Sequence, residues 1–215
     1  MTETTAARAI GDTLEDVLAD LPGIDLELDP VIIVGAGPVG MTAALTLAYY
    51  GIRSILLDDD NKLSYGSRAI AIHRSTLEVW EKWSSIDDML ANGMAWQVRR
   101  TYFRNTELFR QQMPPVAPGT LPTFINLQQC HTEAFLLKNI QATRLVDLLW
   151  LHKVQNLEQD ATGVTLEVKT MQGLRRIRGS YVLGCDGAHS TVRHLLNMPF
   201  PGTTHPDFFL IADIR

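Results

Sequence analysis

Cysteine is nearly absent from this chain. Cys130 and Cys185 are the only two, far apart and without metal-ligand spacing, which suits a reducing cytoplasm. Long apolar runs are missing too: none reaches the length of a membrane span, so a soluble protein is expected. A formal net charge of -5 gives no electrostatic reason to expect nucleic acid or an anionic membrane as a partner. The first 29 residues lack a basic start, and Glu3, Asp12, Glu15 and Asp16 interrupt any apolar core, so they do not read as a signal peptide. None of the six histidines forms a recognisable dyad. What is there is ordinary for a soluble α/β protein with a real core: 46% hydrophobic and 20% charged residues in a chain of 215.

The organising stretch is Asp29 to Asp60. Val31 to Val34 is wholly apolar and β-branched, as a parallel strand buried on both faces must be. Gly35-Ala36-Gly37-Pro38-Val39-Gly40 follows, then a helical stretch, Met41 to Tyr50, that stops at Gly51, then a second apolar strand, Ser54 to Leu57. In such a unit Gly35 permits the tight turn, Gly37 lets a pyrophosphate approach the backbone, and Gly40 lets helix and sheet pack closely. The helix turns its unpaired amides and positive dipole end toward the phosphates. Asp58 stands at the tip of the second strand, the position from which an acid accepts hydrogen bonds from ribose hydroxyls. A glycine hexad alone also occurs in turns built for packing, but strand, helix and acid together point to an adenine dinucleotide. FAD and NAD remain open here; NADP is disfavoured, since its 2′-phosphate would face the Asp58 carboxylate.

Around this unit the pattern predicts a short amphipathic helix through Ile10, Leu14, Val17, Leu18 and Leu21, read as an N-terminal extension. A helix from Ser75 to Trp83 is expected, with Ser75 as cap and Glu78 completing a capping box, and with Leu77, Val79, Trp80 and Trp83 as core. Arg68, between the dinucleotide unit and this helix, could reach the phosphates or the flavin edge; the plain alternative is a solvated loop arginine. Gln97 to Phe109 reads as one strand or a hairpin, Met113 to Pro122 as a proline-rich loop, Phe124 to Leu127 as a strand, and Gln129 to Ala142 as a helix. Strands then follow at Leu145 to Trp150, Lys153 to Glu158, Gly163 to Thr170 and Leu174 to Arg178, a meander expected to cover the sheet, with Arg175, Arg176 and Arg178 as a solvated basic face. His189 and His194, five apart on a helix, read as packing or surface residues, so no metal site is expected.

Tyr181 to Cys185 is another apolar strand that runs into Asp186-Gly187-Ala188-His189-Ser190-Thr191-Val192-Arg193. This places a second sharp turn at the carboxyl edge of a sheet, before a helix that runs to about Asn197 and is stopped by Pro199 and Pro201. A further strand is expected from Phe208 to Ile214. The two motifs together, with Gly66-Ser67-Arg68-Ala69-Ile70 and Phe124-Ile125-Asn126-Leu127-Gln128-Gln129 between them, resemble the flavin-dependent aromatic hydroxylases related to para-hydroxybenzoate hydroxylase, most of all the subgroup acting on 3-(3-hydroxyphenyl)propionate. The resemblance covers about residues 30 to 215.

It implies an α/β fold: a Rossmann-like FAD-binding domain with a parallel sheet and a β-meander, plus the beginning of a substrate-domain sheet. Residues 1–29 would be an extension, 30–198 the FAD-binding domain with an excursion toward the substrate domain at 97–122, and 199–215 the start of a truncated substrate domain, since a second FAD motif known in the family is not found. The resemblance also implies that the loop from Gly35 through Ala36, Gly37, Pro38, Val39 and Gly40 lines the FAD pyrophosphate, and that Asp58, commonly Glu in members, holds the adenosine ribose. Arg68 and Gln129 would contact the flavin side. Asp186, with Gly187, would help hold the ribityl-pyrophosphate region and take part in NAD(P)H use, and Arg193 would brace that turn. The implied reaction is hydroxylation of a small aromatic substrate with O₂ and NAD(P)H, the latter bound transiently; no catalytic base is assigned. A cytoplasmic location and a homodimer are further expectations. Alternative readings are a non-catalytic FAD-binding module and a flavin oxidoreductase of the same fold.

Overall fold

Four short parallel strands form the centre of the molecule, in a computed structural model that describes residues 30–64, 70–84, 86–208 and 210. They are β1 (Val31–Val34), β2 (Ser54–Leu57), β8 (Val146–Leu149) and β12 (Val182–Gly184), in the order β12-β1-β2-β8. β1 is apolar at every position because both its faces are covered. Val31 and Ile33 point into one core cluster, Ile32 and Val34 into another.

The first cluster lies against helices. α1 (Pro38–Tyr49) contributes Met41, Ala44 and Leu45, α2 (Arg74–Glu81) Leu77 and Trp80, α3 (Asp87–Asn92) Met89, and α4 (Gln129–Ala142) Leu136 and Ile140. The Trp80 indole N–H also donates to Thr42 Oγ1 at 3.0 Å, tying α2 to α1. The second cluster lies under an antiparallel sheet of β9 (Lys153–Asp160), β10 (Gly163–Thr170) and β11 (Gly173–Gly179), through Val154, Leu166 and Val168, with Val192 of the short helix α5 (Thr191–Leu195). Each fully buried Ile or Leu in these layers contributes roughly 1.5–3 kcal/mol. A small antiparallel sheet of β3 (Ala71–His73), β7 (Phe124–Asn126) and β4 (Met94–Ala95) flanks the helices, and β5 (Val98–Phe103) pairs with β6 (Thr106–Gln112) as a separate hairpin.

Several expectations need correction. The strand at 145–150 is not part of the meander: β8 pairs in parallel with β2 as the edge of the central sheet, and the meander begins at Lys153. Helix α2 begins at Arg74 and ends at Glu81, and its cap is His73, whose Nδ1 accepts from the Ser75 N–H at 3.2 Å; Ser75 lies inside the helix and no capping box forms. α5 is shorter than expected, and proline does not end it. Asn197 takes a left-handed φ of 52°, the Met198 N–H donates to the Arg193 carbonyl and the Asn197 N–H to that of His194, a Schellman closure two residues before Pro199. His189 precedes this helix, so the two histidines do not share it. Helix α3 and strand β4 had no sequence counterpart. The helix in residues 1–29 falls outside the described residues, as do Arg68, all of its motif except Ile70, and most of 208–214.

Candidate functional site

The strand order reverses between β1 and β12: the chain leaves β1 toward β2 and β8, and returns to the other side of β1 as β12. Crevices outside the carboxyl ends of parallel strands at such a point are where α/β folds take ligands. Here the loops after β1, β2, β8 and β12 enclose one cleft of about 570 Å³, lined by Gly35, Gly37, Pro38, Asp58, His152 and Asp186 among others.

The two sequence motifs touch. Gly35 has φ +102°, a conformation that side-chain-bearing residues rarely adopt, and a Cβ placed on it would lie 2.5 Å from the Cys185 carbonyl oxygen and 2.9 Å from Asp186 Cα. A Cβ on Gly40 would strike the Gly35 carbonyl oxygen and lie 3.3 Å from Cys185 Cβ. These two glycines let helix, loop and the second motif close on one another. Gly37 is different: a Cβ there meets nothing within 4 Å and would stand in the cleft. Gly37 also begins α1 without a side-chain cap, and by position the N–H groups of Val39 and Gly40 have no carbonyl within the helix to receive them. Bare backbone, open space and unpaired amides at a helix start are what a diphosphate requires.

Asp58 locks the glycine loop to the tip of β2. Its Oδ2 accepts the Ala36 N–H at 2.6 Å and its Oδ1 the Asp60 N–H at 2.9 Å. A carboxylate has about four lone-pair sites, so capacity for ribose hydroxyls is left. Asp186 does the corresponding work across the cleft, where Oδ1 accepts from the Ser190 hydroxyl at 2.6 Å and Oδ2 from the Val192 N–H at 3.1 Å, fixing the turn to the start of α5. Arg193 donates to the Ala188 carbonyl at 2.8 Å and lies over the Phe200 ring, 4.5 Å from its centroid. Burial, and then the Asp186 charge, push the Cys185 thiol above its usual range.

The sequence-predicted residues therefore divide. Gly35, Gly37, Pro38, Val39, Asp58, Asp186 and Gly187 line the cleft. Ala36 and Gly40 are buried behind it, Arg193 supports it from outside, and Gln129 faces a neighbouring depression of about 260 Å³ that shares Pro38. Sequence reasoning missed the β8 tip: His152 and Lys153 line the cleft, the His152 N–H donating to the Asp58 carbonyl at 2.8 Å and Lys153 pairing with Asp59 at 3.2 Å. Recognising 146–149 as a parallel strand would have placed its carboxyl end there. The basic residues Arg175, Arg176 and Arg178 are exposed, with Arg176 paired to Glu158 and Arg178 to Asp160 across the meander. Among the described residues no group of three or more His, Cys, Asp or Glu side chains gathers at metal-binding distance, and no helix is long and apolar enough to cross a membrane.

Known proteins share this arrangement. The chain is 32% identical over 184 residues to the 3-(3-hydroxy-phenyl)propionate/3-hydroxycinnamic acid hydroxylase of Mycolicibacterium smegmatis, and 30% identical over 185 residues to that of Escherichia coli; each match covers 86% of this chain and 33% of the relative. The chain thus spans about a third of the length of these curated relatives. Among solved structures, p-nitrophenol 4-monooxygenase PnpA from Pseudomonas putida superposes with a TM-score of 0.76 at 27% identity, over 82% of this chain and 45% of that one. The flavin-dependent monooxygenase PieE, solved in complex with FAD and substrate, gives 0.70 at 29% identity, over 81% and 33%. Residues 29–214, which contain every element of the cleft, match the family described as FAD binding domain, and the chain belongs to that family.

Proposed function

We propose that residues 30–198 are the cofactor-holding part of an aromatic hydroxylase that uses NAD(P)H and O₂ to hydroxylate a phenolic or other aromatic ring. One observation carries this reading: the glycine loop and the Asp-Gly loop meet backbone to backbone at Gly35 and Cys185, so both border the same cleft. The names of the relatives support an aromatic substrate. Residues 97–122 would reach toward a substrate domain that begins at about residue 199. The free thiols of Cys130 and Cys185 favour a reducing cytoplasm, and a homodimer is the assembly to be tested by light scattering.

In this reading Gly37 would give the diphosphate its place, and Val39 at the start of α1, which lines the cleft, would offer its unpaired amide to the diphosphate oxygens. Asp58 accepts from the adenosine ribose while holding the Ala36 amide. Asp186 keeps the second loop closed at the ribityl-pyrophosphate end and takes part in NAD(P)H use; Arg193 braces it. Gln129 and Arg68 serve the flavin side. When bound, FAD supplies hydride acceptance and O₂ activation, which no side chain can supply. The protein's share is orientation and the exclusion of water.

The test is to purify the chain, record flavin absorption, and assay phenol-dependent NAD(P)H oxidation. A yellow protein whose NAD(P)H oxidation rises with a phenol supports the hydroxylase. Flavin without turnover supports a non-catalytic FAD-binding module, and a protein that stays colourless after FAD is added overturns the assignment of the cleft.

A further inference from the structure

The chain turns sharply where β8 ends. Trp150, Leu151 and His152 follow Leu149, and Leu151 takes a left-handed φ of 59°. Backbone bonds pin this turn to the end of β2: the Leu151 N–H donates to the Asp60 carbonyl at 3.0 Å and the His152 N–H to the Asp58 carbonyl at 2.8 Å. His152 therefore has a fixed place on the cleft wall, next to Asp58. Its ring is fixed as well. Nδ1 lies 2.7 Å from the Trp150 carbonyl oxygen. A carbonyl only accepts, so Nδ1 carries the proton, and in the neutral imidazole Nε2 is left with a lone pair. Among the described residues the ring makes no other hydrogen bond, so this acceptor is unused.

The order of the strand tips says what arrives there. A diphosphate at Gly37 stands at the tip of β1, and a ribose at Asp58 stands at the tip of β2. Neighbouring strands lie about 4.8 Å apart, and β8 is the next, pairing Leu149 with Leu57. The base carried by that ribose thus falls at the β8 tip. Of the other side chains lining the cleft at this end, Val154 is apolar, and Lys153, a donor, is paired with the Asp59 carboxylate at 3.2 Å. A bare acceptor beside a base suits one whose edge offers an amino group. Adenine offers it; hypoxanthine and guanine present a carbonyl at that position, whose lone pairs would face that of Nε2.

We propose that His152 is a specificity-determining residue: its Nε2 accepts from the exocyclic amino group of adenine, and so selects an adenine nucleotide over a hypoxanthine or guanine one. This rests on the assignment of the cleft to an adenine dinucleotide, and the test separates the two. ADP and inosine diphosphate, which differ in the base alone, are titrated calorimetrically at mildly alkaline pH into the 215-residue chain and its variants. Wild-type protein binds ADP roughly fivefold or more tightly than inosine diphosphate. In His152→Phe, ADP affinity falls by roughly fivefold while that for inosine diphosphate stays within about twofold; a merely structural role for the ring would weaken both alike. Asp59→Ala, which removes the carboxylate at this end of the cleft, keeps the preference for ADP. Nitrogen NMR of imidazole-labelled wild-type protein reads the contact even if His152→Phe does not fold: the His152 Nε2 signal moves on adding ADP and stays in place on adding inosine diphosphate. Equal affinity of the wild type for the two nucleotides, equal losses in His152→Phe, a preference that vanishes in Asp59→Ala, or an Nε2 signal unmoved by saturating ADP would overturn the proposal while leaving the cleft a nucleotide site. A wild-type chain that binds neither nucleotide overturns the assignment of the cleft, and the proposal with it.

Discussion

At the scale of single residues, the glycines of the first loop differ in what they tolerate, and this can be measured without any ligand. Gly35→Ala forces a side chain into a left-handed conformation and into the Cys185 carbonyl, and should lower stability by about 1–3 kcal/mol in urea unfolding. Gly37→Ala places its methyl in open space at a φ of -76° that alanine accepts, and should stay within about 1 kcal/mol of wild type. Cys185 has a thiol that burial and Asp186 keep protonated to higher pH than usual. Since the thiolate is the reactive form, iodoacetamide at about pH 8 should label Cys185 more slowly than a small-molecule thiol, and the difference should close as pH rises. The spacing of the glycines made their roles legible. The bond from Ala36 to Asp58 was not, because it depends on how far a short acid can fold back onto the loop.

At the scale of elements, the sequence was most readable where one local signal sufficed. The unit β1, α1, β2 was marked by its glycines, and α4 and β10 were found with their observed bounds. Reading failed where partners decide. Val146–Leu149 is four residues long and contains Asp147, so nothing local shows that β2 lies beside it in parallel. The alternation of β5 and β6 was real but buries neither face: Tyr102, Phe103, Leu108 and Phe109 are all exposed. The start of α2 was misread because serine is the commoner cap, whereas the imidazole of His73 takes that part. His73→Ala should therefore cost about 0.5–2 kcal/mol and His73→Asn, which keeps an acceptor, much less; thermal unfolding of the two variants checks this. A Ser75→Ala change that cost as much as His73→Ala would restore the original reading.

At the scale of the whole molecule, three layers hold four strand tips in one line, and the cleft is the space between them. Its two walls are far apart in sequence, at 35–40 and 185–191, and are brought together because β12 pairs with β1 in register from Ile32 to Val34. The motifs themselves could be read in the chain; their contact follows only from that pairing. The measurement that bears most directly on this is a titration of FAD into wild-type protein and into Gly37→Val, with far-ultraviolet circular dichroism recorded on both. Binding of one FAD by the wild type, with loss of binding in Gly37→Val at unchanged secondary structure, is the expected result. Equal FAD binding by the two proteins would contradict a diphosphate seated at Gly37.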